Sequence, residues 1–178
     1  NIVPFYNILG LSYTKIGKDL LAAKVFENGL FNNQNEISLL TNLADTYRNL
    51  NKLKESEDLL IRASKINDKD LYVLISYGRL KISQGKTEEA INYFNSVYKI
   101  DKNFNDVILR IANAYLSIRN FNEAKKYFEM AVYETPLKIG ADYSYSQMVD
   151  YTKDDKHQKY MLEKLNNKSL NRIAKGPL

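Results

Sequence analysis

The chain has 178 residues, 44% hydrophobic and 26% charged, the balance of a folded domain with one continuous core, which excludes intrinsic disorder. It has no cysteine, which excludes disulfides and thiol-bound metals, and no apolar run reaches the ~20 residues of a membrane helix. The formal net charge of +5 raises the question of an acidic partner.

From the first residues the sequence is periodic. A first helix beginning near residue 3 places Tyr6, Leu9, Gly10 and Tyr13 on one face, the Gly17-Lys18-Asp19 turn closes it, and a second helix carries Ala22, Phe26 and Gly29. The same order returns 34 residues later as Leu40, Leu43, Ala44 and Tyr47, the turn Asn51-Lys52-Leu53, then Ser56, Leu60 and Ala63. It returns again as Leu74, Tyr77 and Gly78, with Lys81 in the aromatic column, the turn Gly85-Lys86-Thr87, then Ala90, Phe94 and Val97. Thr87, followed by Glu88 and Glu89, reads as a helix start with acids in its first turn. The fourth copy is Ile108, Ile111, Ala112 and Tyr115, the turn Arg119-Asn120-Phe121, then Ala124, Phe128 and Ala131. Such spacings put each set on one helix face, so every copy is a helical hairpin whose small residues let the paired axes approach closely. In the turns, Gly or Asn can take the left-handed conformation that ends a helix. A unit this small buries its apolar face only against its neighbours, so the copies stack.

Four uninterrupted repeats result, at about 3–36, 37–70, 71–104 and 105–138. A degenerate fifth follows at 139–166, completing a single array over 1–166, and 167–178 form a basic C-terminal tail. In the fifth copy a first helix is predicted from about Ile139 to Thr152 and a second from Asp155 to Asn166, with Asp154 capping it. Asp142, Ser146 and Gln158 stand in core columns there, while Tyr145, Val149, Leu162 and Leu165 keep the apolar stripe that docks on repeat four. Leu170 and Ile173 allow one more short turn.

This pattern resembles the tetratricopeptide repeat, whose consensus carries W/L, L, G/A, Y, A, F/Y, A and P at these offsets. The resemblance covers four consecutive copies. In the closing proline column only Pro136 matches, Gln34, Asp68 and Lys102 standing in the others. It implies an all-α fold, a right-handed α-solenoid of antiparallel helical hairpins whose first helices line a concave groove. It further implies a non-catalytic protein–protein interaction module that binds a peptide or protein segment in that groove, as a fragment of a larger scaffold or adaptor.

The face opposite the core contacts supplies the groove residues. Arg79 and Arg110 can grip carboxylates, Asn42 and Asn113 can hydrogen-bond a peptide backbone, and Tyr72, Ile75 and Leu109 offer apolar anchorage. Asp45 lies among them, and Asp45 or Asp106 can instead neutralise Arg48, Arg79 or Arg110. Polar residues on such a face also need no partner other than water. The carboxylate-clamp subtype is disfavoured, because its offsets hold Asn7, Leu11, Asn42, Tyr72 and Ser76 and only Asn42 fits.

The positive charge is terminal. Residues 1–150 carry 19 basic and 18 acidic side chains, whereas 151–178 carry seven basic (Lys153, Lys156, Lys159, Lys164, Lys168, Arg172, Lys175) against three acidic. A solvated face on a capping helix is favoured over a patch for an acidic partner, a membrane surface or nucleic acid. His157, the single histidine, reads as an exposed surface residue beside Asp154 and Asp155 rather than a metal ligand or acid–base group. No nucleophile elbow, phosphate loop or two-histidine spacing occurs, so no enzyme activity, cofactor, metal or small-molecule substrate is expected. Asn167-Lys168-Ser169 fits a glycosylation acceptor only on a secretory route. The alternatives are self-association through the Tyr-rich end (Tyr133, Tyr143, Tyr145, Tyr151) and, ranked last, RNA binding, since the related RNA-binding arrays repeat at 35 residues. The chain lacks an initiating Met and starts inside a helix, which reads as an excised fragment. Cytoplasm is favoured as the compartment, with the periplasm open if a targeting segment has been removed.

Overall fold

A computed structural model describes residues 2–134 and 139–166, and the regular structure among them is entirely helical. The predicted Pro136 position, the 167–178 tail, Leu170, Ile173 and the Asn167-Lys168-Ser169 triplet lie outside the described residues. Four hairpins follow one another: α1 (Val3–Lys15) with α2 (Asp19–Asn32), α3 (Ile37–Asn49) with α4 (Leu53–Ile66), α5 (Leu71–Ser83) with α6 (Thr87–Ile100), and α7 (Val107–Ser117) with α8 (Phe121–Glu134). A last pair, α9 (Ile139–Ser146) and α10 (Lys156–Asn166), closes the described chain. The whole is an all-α helical solenoid, each hairpin packed against the next.

The repeat sets these boundaries through its turns. Gly17, Asn51, Gly85 and Arg119 all have positive φ, at 72°, 60°, 75° and 58°. Beside each, the following amide reaches back across the helix end: Lys18 N–H to the Tyr13 carbonyl, Lys52 to Tyr47, Lys86 to Lys81 and Asn120 to Tyr115, at 2.8–3.0 Å. Each hairpin therefore turns through the same left-handed closure, which satisfies carbonyls that a helix end leaves open. Glycine enters that conformation freely, whereas a side chain pays about 1 kcal/mol for it. Arg119→Gly is accordingly expected to stabilise the protein by about 0.5–1 kcal/mol, raising Tm by about 2–4 °C. A thermal melt with Tm at or below that of the unaltered protein would refute this. Thr87 is the first residue of α6, with Glu88 and Glu89 in its first turn as expected; the capping position is Lys86, with no side-chain bond to the helix.

Inside the hairpins the small column Ala22, Ser56, Ala90 and Ala124 is at most 1% exposed. One turn further along the same helix faces sit Phe26, Leu60, Phe94 and Phe128, at most 3% exposed, each contributing roughly 1.5–3 kcal/mol by burial. Lys81, the exception in the aromatic column, lays its stem along the core and brings Nζ to Glu57 at 3.1 Å and Glu89 at 3.5 Å. Between hairpins, Leu39, Val73 and Val107 are fully buried at the seam with the preceding repeat. In α1 the same position is Phe5, which is 73% exposed because no second helix precedes α1 among the described residues.

The terminal pair departs from expectation. The first helix ends at Ser146, six residues before the predicted Thr152, and the chain turns back so that His157, Tyr160 and Lys164 form the inward face of α10. Leu162 and Leu165, expected to dock on repeat four, are 54% and 63% exposed. His157, expected on the surface, is 2% exposed. Polar groups make the inner contacts instead. Asp142, 4% exposed, accepts from Lys164 Nζ at 3.0 and 2.9 Å and lies 3.5 Å from His157 Nε2, while Nδ1 of that ring meets the Tyr151 hydroxyl at 2.7 Å. Tyr160 donates to the Val132 carbonyl at 3.2 Å, tying α10 to α8. Asp154 accepts from the Lys156 amide at 2.9 Å at the start of α10. At the Tyr-rich end, Tyr133 and Tyr145 pack edge to face, Tyr151 stacks on His157, and Tyr143 stays 69% exposed.

Candidate functional site

Because each repeat starts 34 residues after the last, the first helices α3, α5 and α7 stand in sequence along the array, with α3 directly against α5. Three arginines, Arg48, Arg79 and Arg110, occur at 31-residue intervals on these helices. An interval three short of the repeat moves each one back by almost a helical turn from its predecessor, so they run diagonally across the array. All three line one pocket of about 290 Å³. Asn113, Ser83 and Ser117 add polar atoms to its wall, and Ile82, Ala114 and the edge of Phe94 add apolar surface.

Asp45 anchors this arrangement. Its Oδ2 accepts from Arg79 Nη1 at 2.5 Å and from Ser76 Oγ at 3.3 Å, while Oδ1 accepts from Arg48 Nε at 3.5 Å. The side chains of Asp45, Arg48 and Arg79 are 21%, 23% and 32% exposed, so the charges sit in a medium less polar than bulk water and their interactions are correspondingly stronger. Burial, reinforced by the positive charges of Arg79 and Arg48, lowers the Arg110 guanidinium below the usual arginine range, with Asp45 opposing. An added anion at this point relieves that repulsion.

Not every predicted groove residue belongs here. Asp45, Arg79, Arg110 and Asn113 come together. Asn42 lies nearer α1, donating to Asn7 Oδ1 at 2.9 Å, and Asn7 in turn donates to Ser38 at 2.8 Å. Tyr72 sits in the first turn of α5 against Phe104, rings 5.0 Å apart, about 10 Å along the axis from Arg79. Leu109 is half-buried against the core. Ile75 is a correction: it is 1% exposed and part of the core, not a groove anchor. Its equivalent Thr41 is 3% exposed as well. That column is a seam between neighbouring first helices, so each of them has covered surface on the side away from its own hairpin partner. Phe94 escaped the sequence reading of the groove because it belongs to a core column of a second helix. Arg48 had a legible signal in the 31-residue arginine interval.

Among the described residues no three His, Asp or Glu side chains gather into a metal site, and no helix is long and apolar enough to cross a membrane. Two family models, both described as tetratricopeptide repeat, match residues 81–138 and 37–67. Solved structures share the fold. PilF of Pseudomonas aeruginosa aligns at TM-score 0.74 and 18% identity, over 89% of this chain and 72% of that one. MamA aligns at 0.65 and 17%, over 99% and 96%. The first such domain of Spaghetti (RPAP3), solved with the HSP90 peptide SRMEEVD bound, aligns at 0.58 and 20%, over 66% and 95%. No curated protein matches the sequence closely enough to count as a relative.

Proposed function

Because this chain belongs to the tetratricopeptide repeat family, we propose that it is a non-catalytic interaction module holding a peptide or protein segment in the groove along α3, α5 and α7. The observation that carries the reading is the pocket where arginines from three successive repeats meet an apolar wall. Guanidinium forks supply directional, charge-assisted bonds, and the apolar wall supplies the desolvated contact on which affinity concentrates. A structural neighbour solved with a bound peptide supports the mode of use. The contact set proposed here is this chain's own, since at the clamp offsets Ser76 is 3% exposed and committed to Asp45.

The test is affinity capture from a lysate with the unaltered protein and with an Arg79→Ala/Arg110→Ala pair, both checked for folding by circular dichroism. The pair is expected to retain proteins at least about tenfold less well. If both versions capture the same proteins equally, the groove is not the binding surface.

A further inference from the structure

One face of α1 is an exposed apolar stripe. Ile2, Phe5, Leu9, Ser12 and Ile16 follow one another at alternating steps of three and four residues, which keeps them on one side of the helix and its caps. In the other repeats the same columns are covered. Leu39, Val73 and Val107 match Phe5 and are fully buried, while Thr46, Leu80 and Ala114 match Ser12 and are at most 3% exposed. Val73 and Leu80 share one core cluster with Leu59, Leu60 and Ala63 of α4, so these columns form the seam between a first helix and the hairpin before it. In α1 that seam lies open, with Phe5 73% and Leu9 48% exposed.

We propose that a second copy of this chain covers the stripe, the two α1 helices pairing antiparallel about a two-fold axis near Leu9. Phe5 and Ser12 lie almost equally far on either side of that axis, so each Phe5 ring falls on Ser12 of the second copy, Leu9 meets Leu9, and Ile2 meets Ile16. A large side chain then faces a small one, as in the internal seam where Leu39 lies against Gly29. Ser12 can be covered without orphaning a polar group, because its Oγ already donates to the Ile8 carbonyl at 2.7 Å. Its buried counterpart Thr46 donates to the Asn42 carbonyl in the same way, at 2.8 Å. Charge does not oppose the pairing: the one charged residue of α1 is Lys15, at its end, and antiparallel packing holds the two lysines apart. A face that pairs with itself closes at two copies. The stripe shares no residue with the arginine pocket, so pairing and peptide capture stand or fall separately.

Sedimentation equilibrium of the whole chain tests this. One helix pair is small beside the roughly 1,600 Å² of a standard stable complex, so a monomer–dimer equilibrium with Kd of about 10–100 µM is expected. Phe5→Glu, at a site exposed in the single copy, should fold as before by circular dichroism and sediment as a monomer throughout. Ser12→Phe enlarges the apolar stripe and should nevertheless weaken pairing at least about tenfold, because two rings then compete for one place. Phe5→Ser/Ser12→Phe, which exchanges the large and the small residue, should restore it. A monomer at every concentration, or a dimer indifferent to Phe5→Glu, overturns the proposal and leaves the peptide groove untouched. Tighter association of Ser12→Phe overturns the antiparallel register, and growth beyond the dimer overturns the two-fold in favour of head-to-tail addition.

Discussion

Asp142→Asn releases the C-terminal cap, at an expected cost of about 3 kcal/mol, because it removes the carboxylate that accepts both bonds from the inward-turned Lys164 ammonium. Lys164 Nζ is held by both Asp142 oxygens at 3.0 and 2.9 Å, with the two side chains 13% and 5% exposed. His157 Nε2 lies 3.5 Å from the same carboxylate, in a ring that is packed edge to face on Tyr145. An amide in its place keeps the shape and loses the charge. The ammonium can then recover hydration only by swinging out along its stem, and that withdraws α10 from Asp142 on α9. In a repeat array the damage stays local, since each unit contacts only its neighbours. Amide hydrogen exchange should therefore accelerate in α9 and α10 with α3–α5 unchanged. Asp142→Leu/Lys164→Met, which removes both charges together, should retain most of the protection, because a matched apolar pair escapes the penalty of an orphaned ion. Unchanged exchange in α10 after Asp142→Asn would show that the cap is held by its tyrosines alone.

That cluster also marks where the sequence stops being legible. Reading by periodicity treats a polar residue in a core column as decay of the repeat and a histidine among lysines as surface. Asp142 and His157 defeat both rules together: Lys164 holds both oxygens of Asp142 from 22 residues away with no periodic trace, and His157 is covered by Tyr145 and Tyr151. In repeats one to four the comparable case in a core column is Lys81, paired with Glu57 24 residues away and with Glu89. Elsewhere the small and aromatic residues fall where spacing places them, and the left-handed turn positions are visible as Gly17, Asn51 and Gly85, whereas in the fourth turn the conformation falls on Arg119 and not on Asn120. In the groove, the helix wheel separates covered from open columns for an isolated hairpin. It cannot know what the following repeat covers, and so it exposes Ile75, which is buried in a core cluster with residues of α6, α7 and α8. The convergence of Arg48, Arg79 and Arg110 depends likewise on how one repeat is rotated against the next, a tertiary quantity read only faintly in the 31-residue interval.

Gly78→Ala is the substitution that tests how closely core and pocket are coupled. At an exposed helical site the change would stabilise by about 1 kcal/mol. Here a Cβ would stand 2.7 Å from Phe94 Cδ1 and Cζ and nearer still to Cε1, in a side chain only 3% exposed. The ring must move or α5 and α6 must part, and overpacking of this kind costs about 1–3 kcal/mol. A net loss of about 1–2 kcal/mol follows, measurable by urea denaturation. The other repeats show both ways out. Repeat two pairs Ala44 with Leu60 and repeat four pairs Ala112 with Phe128, all four fully buried, so alanine fits either against a smaller partner or in a hairpin built around the larger one. Gly78→Ala/Phe94→Leu copies repeat two and should be more stable than the sum of its single variants predicts, since the two sites share one contact. Because Phe94 also forms part of the arginine pocket wall, Gly78→Ala should weaken capture of the partner though Gly78 itself does not line the pocket. Full stability together with undiminished capture would mean that the ring has room the close Gly78 contact denies it.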